Sequence, residues 1–114
     1  PDAYALPSSL FYINGNAQGM ALDDMHIAIT QSYGSTDHSR LRIFENTKDQ
    51  DGNVDARDVN YVSGMDLPVM AEDCYMDEDG NLYICFESGA YAYRARPCDH
   101  VDRIVFIPRC LFTE

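Results

Sequence analysis

Apolar side chains along this sequence come in short alternating runs, separated at close intervals by turn residues. No stretch of ten or more residues carries them at helical spacing. The alternation predicts β-strands at 10–13, 19–23, 26–31, 40–45, 59–62, 71–77, 82–88, 90–95 and 101–107. Asn14-Gly15-Asn16, the segment 33–37, Asp77-Glu78-Asp79-Gly80-Asn81 and the segment 96–99 supply turns, and Pro108 stops the last strand. The segment 46–58 is polar and without apolar period, so it reads as a long loop.

The strand pattern recurs. Ala17-Gln18-Gly19-Met20-Ala21-Leu22-Asp23, a turn, and His26-Ile27-Ala28-Ile29-Thr30-Gln31-Ser32 form one copy, with Leu41-Arg42-Ile43-Phe44 behind it. The second is Ala71-Glu72-Asp73-Cys74-Tyr75-Met76-Asp77, a turn, Leu82-Tyr83-Ile84-Cys85-Phe86-Glu87-Ser88, then Tyr91-Ala92-Tyr93-Arg94. The offset is about 54 residues at the start and about 56 after the second turn, a period that suits propeller blades. The expected fold is all-β: two four-stranded antiparallel blades of a β-propeller. A leading strand occupies about 1–16, the first blade 17–66 and the second 67–114. A small β-sandwich or barrel is the alternative.

At 114 residues the chain is one domain's worth, and 46% hydrophobic content fits a folded protein. Nineteen acidic residues against eight basic ones leave a net charge of −11. Such a surface repels phosphate backbones and anionic lipid, which counts against nucleic-acid and membrane partners. No apolar run approaches the roughly 18 residues of a membrane helix. A chain opening at Pro1 is expected to be a mature or trimmed piece.

Four cysteines, Cys74, Cys85, Cys98 and Cys110, lack C-x-x-C spacing, which weakens zinc and thioredoxin-like readings. A two-residue turn at Asp79-Gly80 would set Cys74 opposite Cys85, close enough for a disulfide. Two buried free thiols are the other reading. Thr47 to Asp58 overlays the twelve-residue calcium loop, with Asp49, Asp51, Asn53, Asp55 and Asp58 as oxygen donors and Gly52 at the sharp turn. Thr47 stands where an Asp is usual, and an acidic solvated loop explains the same residues. His26, His38 and His100 are far apart, and no G-x-S-x-G elbow accompanies Ser32 or Ser88.

The stretch Asp77-Glu78-Asp79-Gly80-Asn81-Leu82-Tyr83-Ile84 resembles the inner hairpin of propeller blades in the NHL-repeat and gluconolactonase-like superfamilies. Gln18-Gly19-Met20-Ala21 with Gln31-Ser32-Tyr33-Gly34, and Pro68-Val69-Met70-Ala71-Glu72 with Phe86-Glu87-Ser88-Gly89-Ala90, resemble the closing two blades of longer, secreted bacterial propellers. Asp73 departs from the pattern, where a glycine like Gly19 is expected. The resemblance implies a propeller in an extracytoplasmic setting and no particular reaction. It also implies that Gln18 and Glu72 face a central channel, with Gln31 and Glu87 at strand ends nearby, as candidates for a ligand or a cation such as Ca²⁺.

Two blades do not close a ring, so the expected partners are the remaining blades or further copies of the chain, as in a homotrimer. The expected function is a non-catalytic binding or structural propeller segment of an exported bacterial protein. The alternatives are a metal-dependent lactonase or lyase with Glu72 as ligand, and a calcium-stabilised β module working through the 49–58 loop.

Overall fold

The computed structural model of the chain describes residues 15–46, 60–95 and 100–112. It is all-β, with no α-helix among the described residues. The first sheet has four antiparallel strands in sequence order: β1 (Ala17–Leu22), β2 (His26–Gln31), β3 (Ser39–Glu45) and β4 (Tyr61–Leu67). The second has three, also in order: β5 (Ala71–Met76), β6 (Leu82–Phe86) and β7 (Val105–Ile107). Among the described residues neither sheet closes into a barrel. The leading strand expected at 10–13 lies outside the described residues.

Two expectations are corrected. The second unit has three strands because Tyr91–Tyr93 coils into a 3₁₀ turn instead of extending. The Tyr93 and Arg94 amides donate back to the carbonyls of Ala90 and Tyr91, at 2.9 and 3.4 Å. Tyr91 is 89% exposed, so its aromatic alternation has no neighbouring strand to pack against. β7 takes the place beside β6 instead. In the first unit the fourth strand runs on to Leu67 rather than stopping at residue 62, because Met65 and Leu67 carry it into the core.

Aspartates shape both inner hairpins. Asp23 Oδ1 accepts the amides of Met25 and His26, each at 2.8 Å, and Asp77 Oδ1 accepts those of Asp79 and Asn81 at 3.0 and 2.9 Å. Such side-chain acceptors replace ladder partners in a tight turn. The second turn is one residue longer. Asp77 pairs with Asn81, leaving Glu78-Asp79-Gly80 as a three-residue loop with Gly80 at φ 84°. Cys74 therefore pairs with Ile84, not with Cys85.

The internal repeat is visible in the backbone. Asn16 and Met70, just ahead of β1 and β5, both have left-handed φ, at 67° and 62°. Each first strand then bulges by one residue, between Ala17 and Gly19 and between Ala71 and Cys74. Matching the registers aligns the row Ala21–Ala28–Ile43 with Tyr75–Tyr83–Phe106, and the row Leu22–Ile27–Phe44 with Met76–Leu82–Ile107. The longer hairpin makes Phe86, not Glu87, the counterpart of Gln31.

That alignment defines how the sheets meet. The first sheet turns its Ala21–Ala28–Ile43 side inward, with Leu41 and Met65, and the second meets it with Met76, Leu82, Ile84 and Ile107. Opposite sides of the repeat are therefore in contact, head to tail. Each fully buried aliphatic side chain contributes roughly 1.5–3 kcal/mol. Two polar bonds cross the seam: Thr30 Oγ1 donates to the Glu72 carbonyl at 3.0 Å, and the Ala71 amide donates to Ser39 Oγ at 2.8 Å. At the C-terminal side Phe112 is 3% exposed. Its carbonyl accepts the Ser63 hydroxyl at 2.7 Å, and the Arg109 amide donates to Asn81 Oδ1 at 2.9 Å, tying both sheets together.

Candidate functional site

Gln18 and Glu72 occupy the two bulges, at matching places in the repeat, and both are exposed. Bulges aim a side chain out of the regular ladder. The strands carrying them, β1 and β5, run close together where a Cβ on Gly19 would lie 2.7 Å from Asp73 Cα and 2.9 Å from the Glu72 carbonyl. The structure thus brings Gln18 and Glu72 onto adjoining strands at the seam.

Gln31 and Glu87 are placed differently from each other. Gln31 is fully buried. Its Nε2 donates to the Gly15 carbonyl at 2.9 Å, and its Oε1 accepts from the Arg42 Nε and the Tyr33 hydroxyl. A buried carboxamide engaged on both ends holds the first sheet together rather than meeting a ligand. Glu87 is half-buried beyond β6, its amide donating to the Met70 carbonyl at 2.9 Å.

The candidate calcium ligands Asp49, Asp51, Asn53, Asp55 and Asp58 lie outside the described residues, as does Cys98. Among the described residues no group of three or more His, Cys, Asp or Glu side chains could hold a metal ion. The His100 ring bonds the Tyr93 carbonyl at 3.0 Å. No helix of the described residues is long and apolar enough to cross a membrane.

Cys74 and Cys85 are free thiols. The longer hairpin explains why they do not meet as opposed residues. Cys74 shares the core side with Ile84, whereas alternation turns Cys85 to the other side of the sheet, where its Sγ lies 3.6 Å from the Asp73 carbonyl. Burial pushes the Cys74 thiol up to about 12, with the Asp73 charge and Cys85 adding to the shift.

Sequence reading missed the outer side of the second sheet. Tyr75, Tyr83 and Phe106 form one row across all three strands, with ring centroids 6.0 and 5.1 Å apart. Tyr75 is 64% and Phe106 49% exposed. The Tyr83 hydroxyl donates to Asp77 Oδ2 at 3.2 Å, which fixes the central ring. The row borders a shallow apolar hollow of about 160 Å³, and Cys85 and Ile104 connect that hollow to a cleft of about 390 Å³. Arg94, Asp102 and Arg103 line the cleft. Arg103 pairs with Asp102 at 3.5 Å, so that cleft is mixed in charge, and the aromatic platform beside it can stack planar or apolar groups. The signal was available: Tyr75 and Tyr83 stand where the first copy has Ala21 and Ala28.

Comparison with protein-family models, with characterised proteins and with solved structures finds no match to this chain.

Proposed function

We propose that this chain is a non-catalytic binding or structural module, built as two adjacent blades of a propeller-type array in an exported bacterial protein. The observation that carries the reading is the head-to-tail contact. The Ala21–Ala28–Ile43 side of one unit is covered by the Met76–Leu82–Ile107 side of the next, and these are opposite sides of the same repeat. Ring and solenoid arrays stack their units this way. The seam exposes Gln18 and Glu72 side by side on bulged strands, which suits recognition of a ligand by hydrogen bonds. On this reading the module works by binding.

The test is thermal unfolding with and without EDTA, on the wild type and on Glu72→Gln. The reading expects the melting temperature to ignore both changes. A fall of several degrees on EDTA that Glu72→Gln reproduces would overturn it and point to a metal-dependent enzyme. A fall on EDTA that Asp51→Ala reproduces would instead assign a calcium-stabilised module.

A further inference from the structure

We infer that the outer edge of β7 is a strand-acceptor site, filled by residues 7–13 of a second copy of this chain, and this rests on the blade reading above. The second unit has three strands where the first has four. β7 stands where β3 pairs with β4 in the first unit, and among the described residues no strand extends the sheet beyond it. The chain after β7 turns elsewhere. A 3₁₀ turn follows Pro108, and the Phe112 carbonyl accepts the Ser63 hydroxyl of the first sheet.

That edge is built to be paired. β7 is regular over only Val105–Ile107, whereas its counterpart β3 runs from Ser39 to Glu45 between two neighbours. Neither a lysine nor a proline interrupts Val105–Ile107, and Phe106 and Ile104 are 49% and 60% exposed. An apolar edge without such guards is a template for another strand.

The repeat identifies the occupant. β4 ends at Leu67, and three residues later Met70 takes left-handed φ ahead of β5. Asn16 takes the same φ ahead of β1, so the same steps counted back from it put residues 7–13 in the place of β4. The residues agree as well as the spacing. Ser63, Met65 and Leu67 alternate along β4, with Leu67 buried in the core and Met65 packed against it. Ser9, Phe11 and Ile13 alternate in the same order, in a segment outside the described residues.

This place in the repeat is the fourth strand of a unit that precedes β1. The chain's own second unit follows β1, which meets β5 at the seam through Gly19 and Asp73. Donor and acceptor are therefore different copies. Register follows from the first unit, where Ile43 pairs with Ser63 and Leu41 with Met65. Phe106 is the counterpart of Ile43, so it takes Ser9, and Ile104 takes Phe11. Donation runs head to tail, from the first unit of one copy to the second of the next, and so continues the blade array between chains.

The experiment is light scattering of the full chain, alone and as mixed variants. The wild type is expected to rise above 12.9 kDa, in whole multiples, as concentration increases. Phe11→Asp disables the donor and Ile104→Asp the edge, so each alone should stay at 12.9 kDa with a native circular dichroism spectrum. If either loses that spectrum, serine at the same position takes its place. Mixed in equal amounts, the two variants should form a complex of about twice 12.9 kDa, because each keeps the half that the other lacks. A wild type at 12.9 kDa throughout overturns the inference. So does a variant that assembles like the wild type, or a mixture that stays monomeric. Methyl contacts of Ala28 with Leu82 and Ile84 across the seam tell which part has failed. Where they are present, strand donation alone is wrong; where they are absent, the blade reading falls with it.

Discussion

Asn16 and Met70 adopt the same left-handed backbone, φ 67° and 62°, at the same place in two successive units. The carbonyl of each accepts an amide just beyond the second strand of its unit, that of Ser32 after β2 at 3.0 Å and of Glu87 after β6 at 2.9 Å. Asparagine tolerates this conformation, whereas methionine has no such local compensation. Its retention at Met70 shows that the surrounding ladder dictates the backbone. Asn16→Gly should leave stability within about 0.5 kcal/mol, and Asn16→Val should lose about 1–2 kcal/mol, read from urea midpoints.

Gly19 sets the spacing of the two sheets. A methyl group there would fall 2.7 Å from a backbone carbon of the opposing strand, which cannot swing aside like a side chain. Gly19→Ala should lose about 2 kcal/mol or more and lower the unfolding midpoint, with the sheets forced apart. Gly15→Ala, with nothing within 4 Å of the added carbon, is the control and should change little.

Ser39 is fully buried and is the acceptor for the Ala71 amide where the chain enters the second sheet. Ser39→Ala leaves that amide without its acceptor and should lose about 1–3 kcal/mol. Thr30→Val removes a bond to the carbonyl of exposed Glu72, where water can substitute, and should lose about 1 kcal/mol. Comparing the two by denaturant titration separates an enclosed seam from a wet one.

The second hairpin carries a pH signature. Burial alone would push Asp77 up, but hydrogen bonds from Asn81, Asp79 and Tyr83 outweigh it and hold its carboxyl below the ordinary value. A depressed carboxylate stabilises the fold fully above its unfolded value, near 4, and loses that contribution as pH falls through the folded one. Burial and the bond to Asp77 raise the Tyr83 phenol above its ordinary value. Its contribution is present below about 10 and fades as pH climbs through the raised value. Asp77→Asn keeps an acceptor but removes the titration, so it should flatten the acid limb of melting temperature against pH.

Thiol chemistry gives a further check. With Cys74 pushed up to about 12, its thiolate is scarce at pH 8, while Cys110 is exposed. Iodoacetamide on the native protein should label Cys110 at least about tenfold faster than Cys74, as peptide mapping would show. Equal rates would mean that β5 does not pack Cys74 against Ile84.

The sequence was most legible where local chemistry decides the structure. The Asp-started turns, the β1–β2 hairpin and the strand at Leu82 follow from alternation and turn residues alone. Register was not legible, because Asp79-Gly80 suits a two-residue turn while Asp77 recruits both the Asp79 and Asn81 amides and holds three residues in the loop. That single residue moved Cys74 away from Cys85 and shifted the counterpart of Gln31 to Phe86. Tyr91-Ala92-Tyr93 alternates like a strand but coils into a 3₁₀ turn, because β7 takes the place beside β6. The equivalence of Gln18 and Glu72 was legible through the repeat, but their bulges were not, nor was the burial of Gln31, because both sides of β2 are covered.

The head-to-tail seam is the centre of this account, and nuclear Overhauser contacts between assigned methyl groups test it most directly. The Ala28, Leu41 and Ile43 methyls should contact those of Leu82 and Ile84, while the Tyr83 and Phe106 rings contact none of them. Contacts from Ala28 or Ile43 to the Tyr83 ring would mean that like sides of the repeat face each other, and would contradict it.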